Sequence, residues 1–136
     1  MILLEWNDSF SVGDQVLDDQ HKELFVIIND MAILYYKKDE HRLVEIIDRL
    51  LDYADSHFAL EEEFMEKIKY PKIEEHKVLH REMIEQAKFL KQEFKDRPGT
   101  AANRLSTFAA YWLTHHINEA DYGYIEYAKK YKEDIT

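Results

Sequence analysis

The 136-residue sequence contains no cysteine. That excludes disulfides, thiolate metal ligands and iron–sulfur clusters. Glycine occurs three times and proline twice, so the chain has few places at which to break a helix. Although 46% of the residues are hydrophobic, no apolar run approaches the ~20 residues of a membrane-spanning helix, and membrane insertion is not expected. Positive charge is in short supply. The 18 Lys and Arg face 28 Asp and Glu, for a net charge of −10, which argues against nucleic acid as a partner, since that needs a basic footprint. The opening MILLEWND has neither the basic start nor the cleavage pattern of a secretory leader, so the expected location is cytoplasmic. The length suits one domain spanning 1–136, able to bury roughly two-thirds of its unfolded surface.

What remains is long, periodic and helical. Residues 1–17 show no sustained period and read as an N-terminal arm, with Trp6, Phe10 and Val12 as its anchors on the body. A helix then starts at Asp18 or Asp19, either of which can cap it. It carries Leu24, Phe25, Ile28, Met31 and Tyr35 on one stripe and ends near Lys37 and Lys38. A second runs from Glu40 to Lys69 and is stopped by Pro71. A third covers Ile73 to Lys95. Arg97-Pro98-Gly99-Thr100 reads as the clearest loop, and a fourth helix begins at Thr100 or Ala101 with Leu105, Phe108, Ala109, Trp112 and Leu113 facing inward. Four helices with short connections predict an all-α, up-down-up-down antiparallel four-helix bundle. The nine tyrosines, including the group at Tyr122, Tyr124, Tyr127 and Tyr131, read mainly as packing residues.

Polar residues interrupt these apolar stripes in a pattern. His21 heads the first stripe, one turn before Leu24 and Phe25. His57 and Glu61 fall inside the second, His76 and His80 inside the third, and the fourth carries WLTHHINEAD with His115, His116, Glu119 and Asp121. Residues four apart on a helix lie one turn apart on the same face. Alternating helix directions bring the start of the first and third helices level with the later halves of the second and fourth. The intruding side chains therefore converge at one end of a common core. Any one of them alone reads as a hydrogen-bonded core residue or a surface pair. Several imidazoles and a carboxylate together cannot satisfy one another by hydrogen bonds alone, whereas metal ions can satisfy them all. On the fourth helix the stripe centres on His116 rather than His115. Glu119, three residues on, shares its face on an ideal helix, while Asp121 is about 140° away. Spacing thus favours Glu119, or demands a distorted turn for Asp121. His41, between Glu40 and Arg42, reads as solvated. An all-N/O donor set suits zinc, iron, copper or nickel. Five His are too many for one tetrahedral zinc and, with two carboxylates, suit two six-coordinate ions with shared bridges. No Glu-x-x-His precedes any of the seven His, so the carboxylate-rich di-iron bundle pattern is absent.

In order along the chain stand a first-helix His21, H-x-x-x-E at His57 and Glu61, H-x-x-x-H at His76 and His80, and H-x-x-x-x-D at His116 and Asp121. With the flanking VGDQVLDDQHKELF, HFALEEEFM, YPKIEEHKVLH and WLTHHI, this pattern resembles the hemerythrin family, in particular its single-domain bacterial members. The resemblance implies that Asp121, not Glu119, is the second carboxylate, and hence an irregular turn between His116 and Asp121. It implies two iron ions per chain, one held by His76, His80 and His116 and the other by His21 and His57. Glu61, Asp121 and an oxo or hydroxo group would bridge them. Counting ligands then leaves one open position, on the iron held by His21 and His57, where O2 binds reversibly. The pocket around it is expected to be apolar, lined by side chains such as Phe25, Ile28 and Ile117. The implied function is O2 storage, transport or delivery, with an O2-consuming enzyme or a redox protein as partner. The alternatives are a di-iron enzyme (peroxidase, oxidase or nitric-oxide-handling), for which an inward Glu119 could relay protons, a sensor acting through a separate partner, and iron storage.

Overall fold

The structure is a computed structural model that describes residues 4–135, with side chains at 4–97 and 104–130. Its helices are α1 (Gln15–Tyr36), α2 (Glu40–Lys67), α3 (Ile73–Asp96), α4 (Pro98–His116) and α5 (Tyr122–Ile135), preceded by a short 3₁₀ turn at Asp8–Phe10. α1 packs on α2, α2 on α3, α3 on α4 and α4 on α1, which closes the expected four-helix bundle. α5 continues α4 beyond a wide turn at Ile117–Asp121. No strand occurs among the described residues.

Three boundaries differ from the sequence reading. α1 begins at Gln15, capped by Asp14, whose carboxylate accepts the Leu17 N–H at 3.0 Å. The arm is correspondingly shorter than 1–17. Gly13 turns the chain there with φ +80°, a conformation that suits glycine. Asp18, expected as a cap, instead accepts hydrogen bonds from the Ser11 hydroxyl at 2.6 Å and the Val12 N–H at 2.9 Å, fastening the arm to the helix. α4 begins at Pro98, not at Thr100 or Ala101. Proline fits the first helical turn because its missing N–H has no partner there, and it keeps Arg97 out of the helical region, at φ −142° and ψ 73°. The side chain of Thr100, read as a start signal, and that of Tyr131 lie outside the described residues.

α2 stops two residues before the expected Lys69. Lys69 adopts φ +55°, and the Tyr70 N–H bonds back to the Met65 carbonyl at 2.9 Å. α1 ends the same way, with Lys38 at φ +57° and the Asp39 N–H on the Leu34 carbonyl at 3.1 Å. Both are left-handed helix terminations that favour glycine. Lys69 is exposed, so Lys69→Gly is expected to raise stability by about 0.5–1 kcal/mol. Urea denaturation of the two proteins, with unchanged slope, measures it. The same α2–α3 turn carries Tyr70, whose hydroxyl lies 2.9 Å from where a Cβ on Gly123 would stand. Glycine at 123 therefore lets α5 close onto this turn.

The core divides along the bundle axis. One part is apolar, with Met31, Leu43, Ile47, Leu50, Leu90, Phe94, Leu105 and Ala109 all buried. The other carries the buried polar residues His21, His57, Glu61, His76, His80, His116 and Asp121.

Candidate metal centre

All seven side chains singled out in the sequence meet in one place, each at most 6% exposed. α1 brings His21, α2 brings His57 and Glu61 one turn apart, and α3 brings His76 and His80 likewise. His116 ends α4. Asp121 reaches the same spot because the segment between them is π-helical: the Tyr122 N–H bonds the Ile117 carbonyl, five residues back. A π turn returns to the same face after five residues rather than four, so Asp121 lies beneath His116, with Oδ1 2.9 Å from its Nε2. The expected irregularity is this turn. Glu119, which ideal helical spacing favoured, is exposed. His41 is exposed too and sits beside Glu45 at 3.3 Å.

The donors fall into two groups. In the first, Nε2 of His116 lies 3.0 Å from that of His76 and 3.1 Å from that of His80. Asp121 Oδ1 stands 3.1 Å from His76 Nε2, and Glu61 Oε1 3.6 Å from His80 Nε2. The second group is His21, His57 and Glu61, with His57 Nε2 3.0 Å from Glu61 Oε1 and His21 Nε2 3.9 Å from Glu61 Oε2. Asp121 reaches this group through its other oxygen, Oδ2, 3.2 Å from His21 Nε2. Both carboxylates thus stand between the two sets of imidazoles.

These contacts are close, yet they are not a satisfied hydrogen-bond network. His21 Nδ1 and Nε2, His57 Nε2, Glu61 Oε1 and both Asp121 oxygens are buried without a hydrogen bond. Such atoms are rare in folded proteins and costly. Their concentration here is what a metal centre explains. The separations agree: two donors at right angles, each about 2.1 Å from one ion, lie about 3 Å apart. The donor set therefore fits two cations.

Electrostatics act differently on the several donors. Burial, then the charges of His116 and His76, push His80 down to about 2, so its ring is kept neutral with a lone pair to offer. Burial would lower His116 as well, but the adjacent Asp121 carboxylate overrides this and raises it. Burial would raise Asp121, but His116, His21 and His76 hold it well below the usual carboxylate range. Aromatic rings fix the imidazole planes: Phe58 stacks on His80 at 3.9 Å and 6°, and Trp112 on His116 at 4.2 Å and 14°.

Three further residues touch the centre that sequence reasoning did not single out. Gln20 Oε1 lies 2.6 Å from His57 Nδ1, and Glu62 Oε2 lies 3.1 Å from His80 Nδ1. Tyr124, read mainly as packing, donates its hydroxyl hydrogen to Glu61 Oε2 at 2.7 Å. Burial, then the Glu61 and Asp121 charges, raise its phenol far above the usual value and keep it protonated. Each of the three lies within three positions of a predicted ligand, but their pairing across helices has no mark in the sequence.

The profile of the hemerythrin HHE cation binding domain matches residues 12–128. The chain belongs to the hemerythrin family. Among relatives of this hemerythrin domain is a bacteriohemerythrin of Stenotrophomonas maltophilia, 32% identical over 129 residues, covering 95% of this chain and 84% of the relative. A bacteriohemerythrin of Clostridium acetobutylicum is 30% identical over 126 residues, 89% of this chain and 98% of the relative. A myohemerythrin of Theromyzon tessulatum is 28% identical over 120 residues, 88% and 89%. The hemerythrin match spans all seven converging residues, from α1 to the turn that carries Asp121.

Proposed function

We propose that this protein is a non-haem di-iron protein that binds O2 reversibly at one iron, for O2 storage, transport or delivery. The observation that carries the reading is the unequal division of imidazoles around two shared carboxylates. His76, His80 and His116 would hold one iron and His21 and His57 the other, with Glu61, Asp121 and an oxo or hydroxo group between them. When bound, an iron pair of this kind supplies two electrons to one O2 and recovers them on release. The side held by His21 and His57 has one protein donor fewer, which leaves room for a single small ligand and none for a second substrate beside it.

The surrounding side chains suit binding without turnover. Phe25 lies one turn beyond His21 and Ile28 about two turns beyond it; Ile117 follows His116. All three are buried. Trp6 and Phe10 of the arm pack edge-on or tilted against Phe25 and each other at 5.2–5.8 Å, closing this end against water and slowing loss of the reduced state. The protonated Tyr124 hydroxyl holds Glu61 in place by its hydrogen bond. Glu119 is exposed and so is not the inward proton relay that would favour the enzyme alternative. We read the chain as a single cytoplasmic domain that hands O2 to a consuming enzyme or redox protein; no helix among the described residues is long and apolar enough to cross a membrane.

The test is the absorption spectrum of the iron-loaded, reduced protein before O2, after O2 and after purging with inert gas. A charge-transfer band that appears with O2 and disappears on purging is the expected result. A band that decays to a stable oxidised spectrum overturns the carrier reading in favour of an O2-consuming enzyme.

A further inference from the structure

Two imidazoles of the centre have side-chain partners on the nitrogen that faces away from it, and those partners differ in charge. His80 Nδ1 meets the Glu62 carboxylate at 3.1 Å; His57 Nδ1 meets the neutral Gln20 amide oxygen at 2.6 Å. In both cases the imidazole N–H donates, which leaves Nε2 free to face the centre. The two partners sit on opposite sides of it: Glu62 backs the three-imidazole group, Gln20 the two-imidazole group. Phe58 already fixes the plane of His80 by stacking, so Glu62 adds position within that plane and, above all, negative charge. Glu62 borders an open groove of about 320 Å³ between α2 and α3, lined also by Asp55, Arg81 and Lys88.

A carboxylate behind a ligating imidazole makes the ring a stronger donor, whereas an amide orients it without adding charge. Resting on the di-iron reading above, we propose that Glu62 and Gln20 are positioning residues that make the two halves of the centre electronically unequal. Glu62 stabilises the ferric state of the ion held by His76, His80 and His116. Gln20 leaves the ion held by His21 and His57 the easier of the two to keep ferrous. Before O2 arrives the side held by His21 and His57 would thus resist oxidation the more strongly, and each side would give one electron when O2 binds.

The test compares the full-length wild type with Glu62→Gln and Gln20→Glu, near-isosteric changes at half-buried positions, and with the shorter Glu62→Asp. Iron per chain is measured first; fewer than two in the wild type would overturn the di-iron reading and this inference with it. In proteins holding two irons, reduction potentials are followed spectroscopically during titration with a chemical reductant. Glu62→Gln is expected to raise the potential; a tenfold loss in the ferric-to-ferrous affinity ratio corresponds to a 59 mV rise. Gln20→Glu should lower it, and Glu62→Asp, which keeps the charge, should return most of the shift. Retention of Co(II) against a chelator gives a readout independent of iron redox chemistry, with Glu62→Gln about 10- to 100-fold weaker. A Glu62→Gln protein with two irons and an unshifted potential overturns the inference and leaves the di-iron reading standing. A shift of the same sign in Glu62→Gln and Gln20→Glu also overturns it, because packing changes do not follow the sign of the charge.

Discussion

His80→Ala is expected to weaken iron binding by at least about 100-fold, beyond the 10- to 100-fold that loss of an outer partner costs a metal site. The reason is geometric. His80 Nε2 lies 3.1 Å from that of His116 and 3.6 Å from Glu61 Oε1, so its removal takes one corner from the three-imidazole group. Asp121→Ala should be at least as damaging, because its two oxygens reach both groups. Two controls define specificity. His41→Ala and Glu119→Ala alter exposed residues away from the cluster and should retain wild-type iron. Colorimetric iron per chain after dialysis against a graded chelator measures all four. Equal loss in His80→Ala and His41→Ala would sink the assignment of these residues as ligands.

Stripping the metal is expected to lower the melting temperature by more than about 10 °C. A ligand present at 1,000 times its dissociation constant stabilises the native state by about 4 kcal/mol, and for a domain of this size each kcal/mol is worth roughly 3 °C. Without metal the unpartnered buried atoms that face the centre are uncompensated. The metal-free form should also become acid-sensitive. His80 is depressed to about 2 in the fold, against about 6.5 in an unfolded chain. The unfolded state therefore binds the proton first, and stability present above pH 6.5 is lost as pH falls below it. The raised His116 acts in the opposite sense, contributing below its unfolded value and losing that contribution as pH rises through its folded one. The depressed Asp121 contributes above the ordinary carboxylate range and loses that contribution at lower pH. Calorimetry of loaded and stripped protein at pH 7.5 and 5 tests this. Superimposable melts at both pH values would mean that the cluster is satisfied without metal.

Much of the bundle was legible because its helices are long and its breakers few. The pairs His57 with Glu61 and His76 with His80 were visible because four residues make one helical turn, and alternating helix directions then put them on one level. Asp121 was not legible by that rule, since five residues return to one face only in a π turn, and nothing in INEAD announces one. The starts of α1 and α4 were misplaced for a related reason: Asp14, Asp18 and Asp19 are equally good caps in isolation, and Asp18 was claimed by Ser11 and Val12 of the arm. Pro98 reads as a loop residue by type and as a helix start by position. Gln20, Glu62 and Tyr124 act through partners on other helices, and a contact of that kind is a property of packing that no local spacing encodes.

The wide turn at Ile117–Asp121 bears on how this chain tolerates changes of length. Deleting one residue inside an ordinary helix rotates everything downstream by about 100° and would carry a ligand away from its site. Here the loss of exposed Asn118 would leave His116 and the aspartate four residues apart, the spacing at which an α-helix meets the same face. The π turn would relax to α, and α5, with Tyr124, would keep its bearing on Glu61. This stretch of helix is thus a point where the reading frame of the fold can slip by one residue without losing its place.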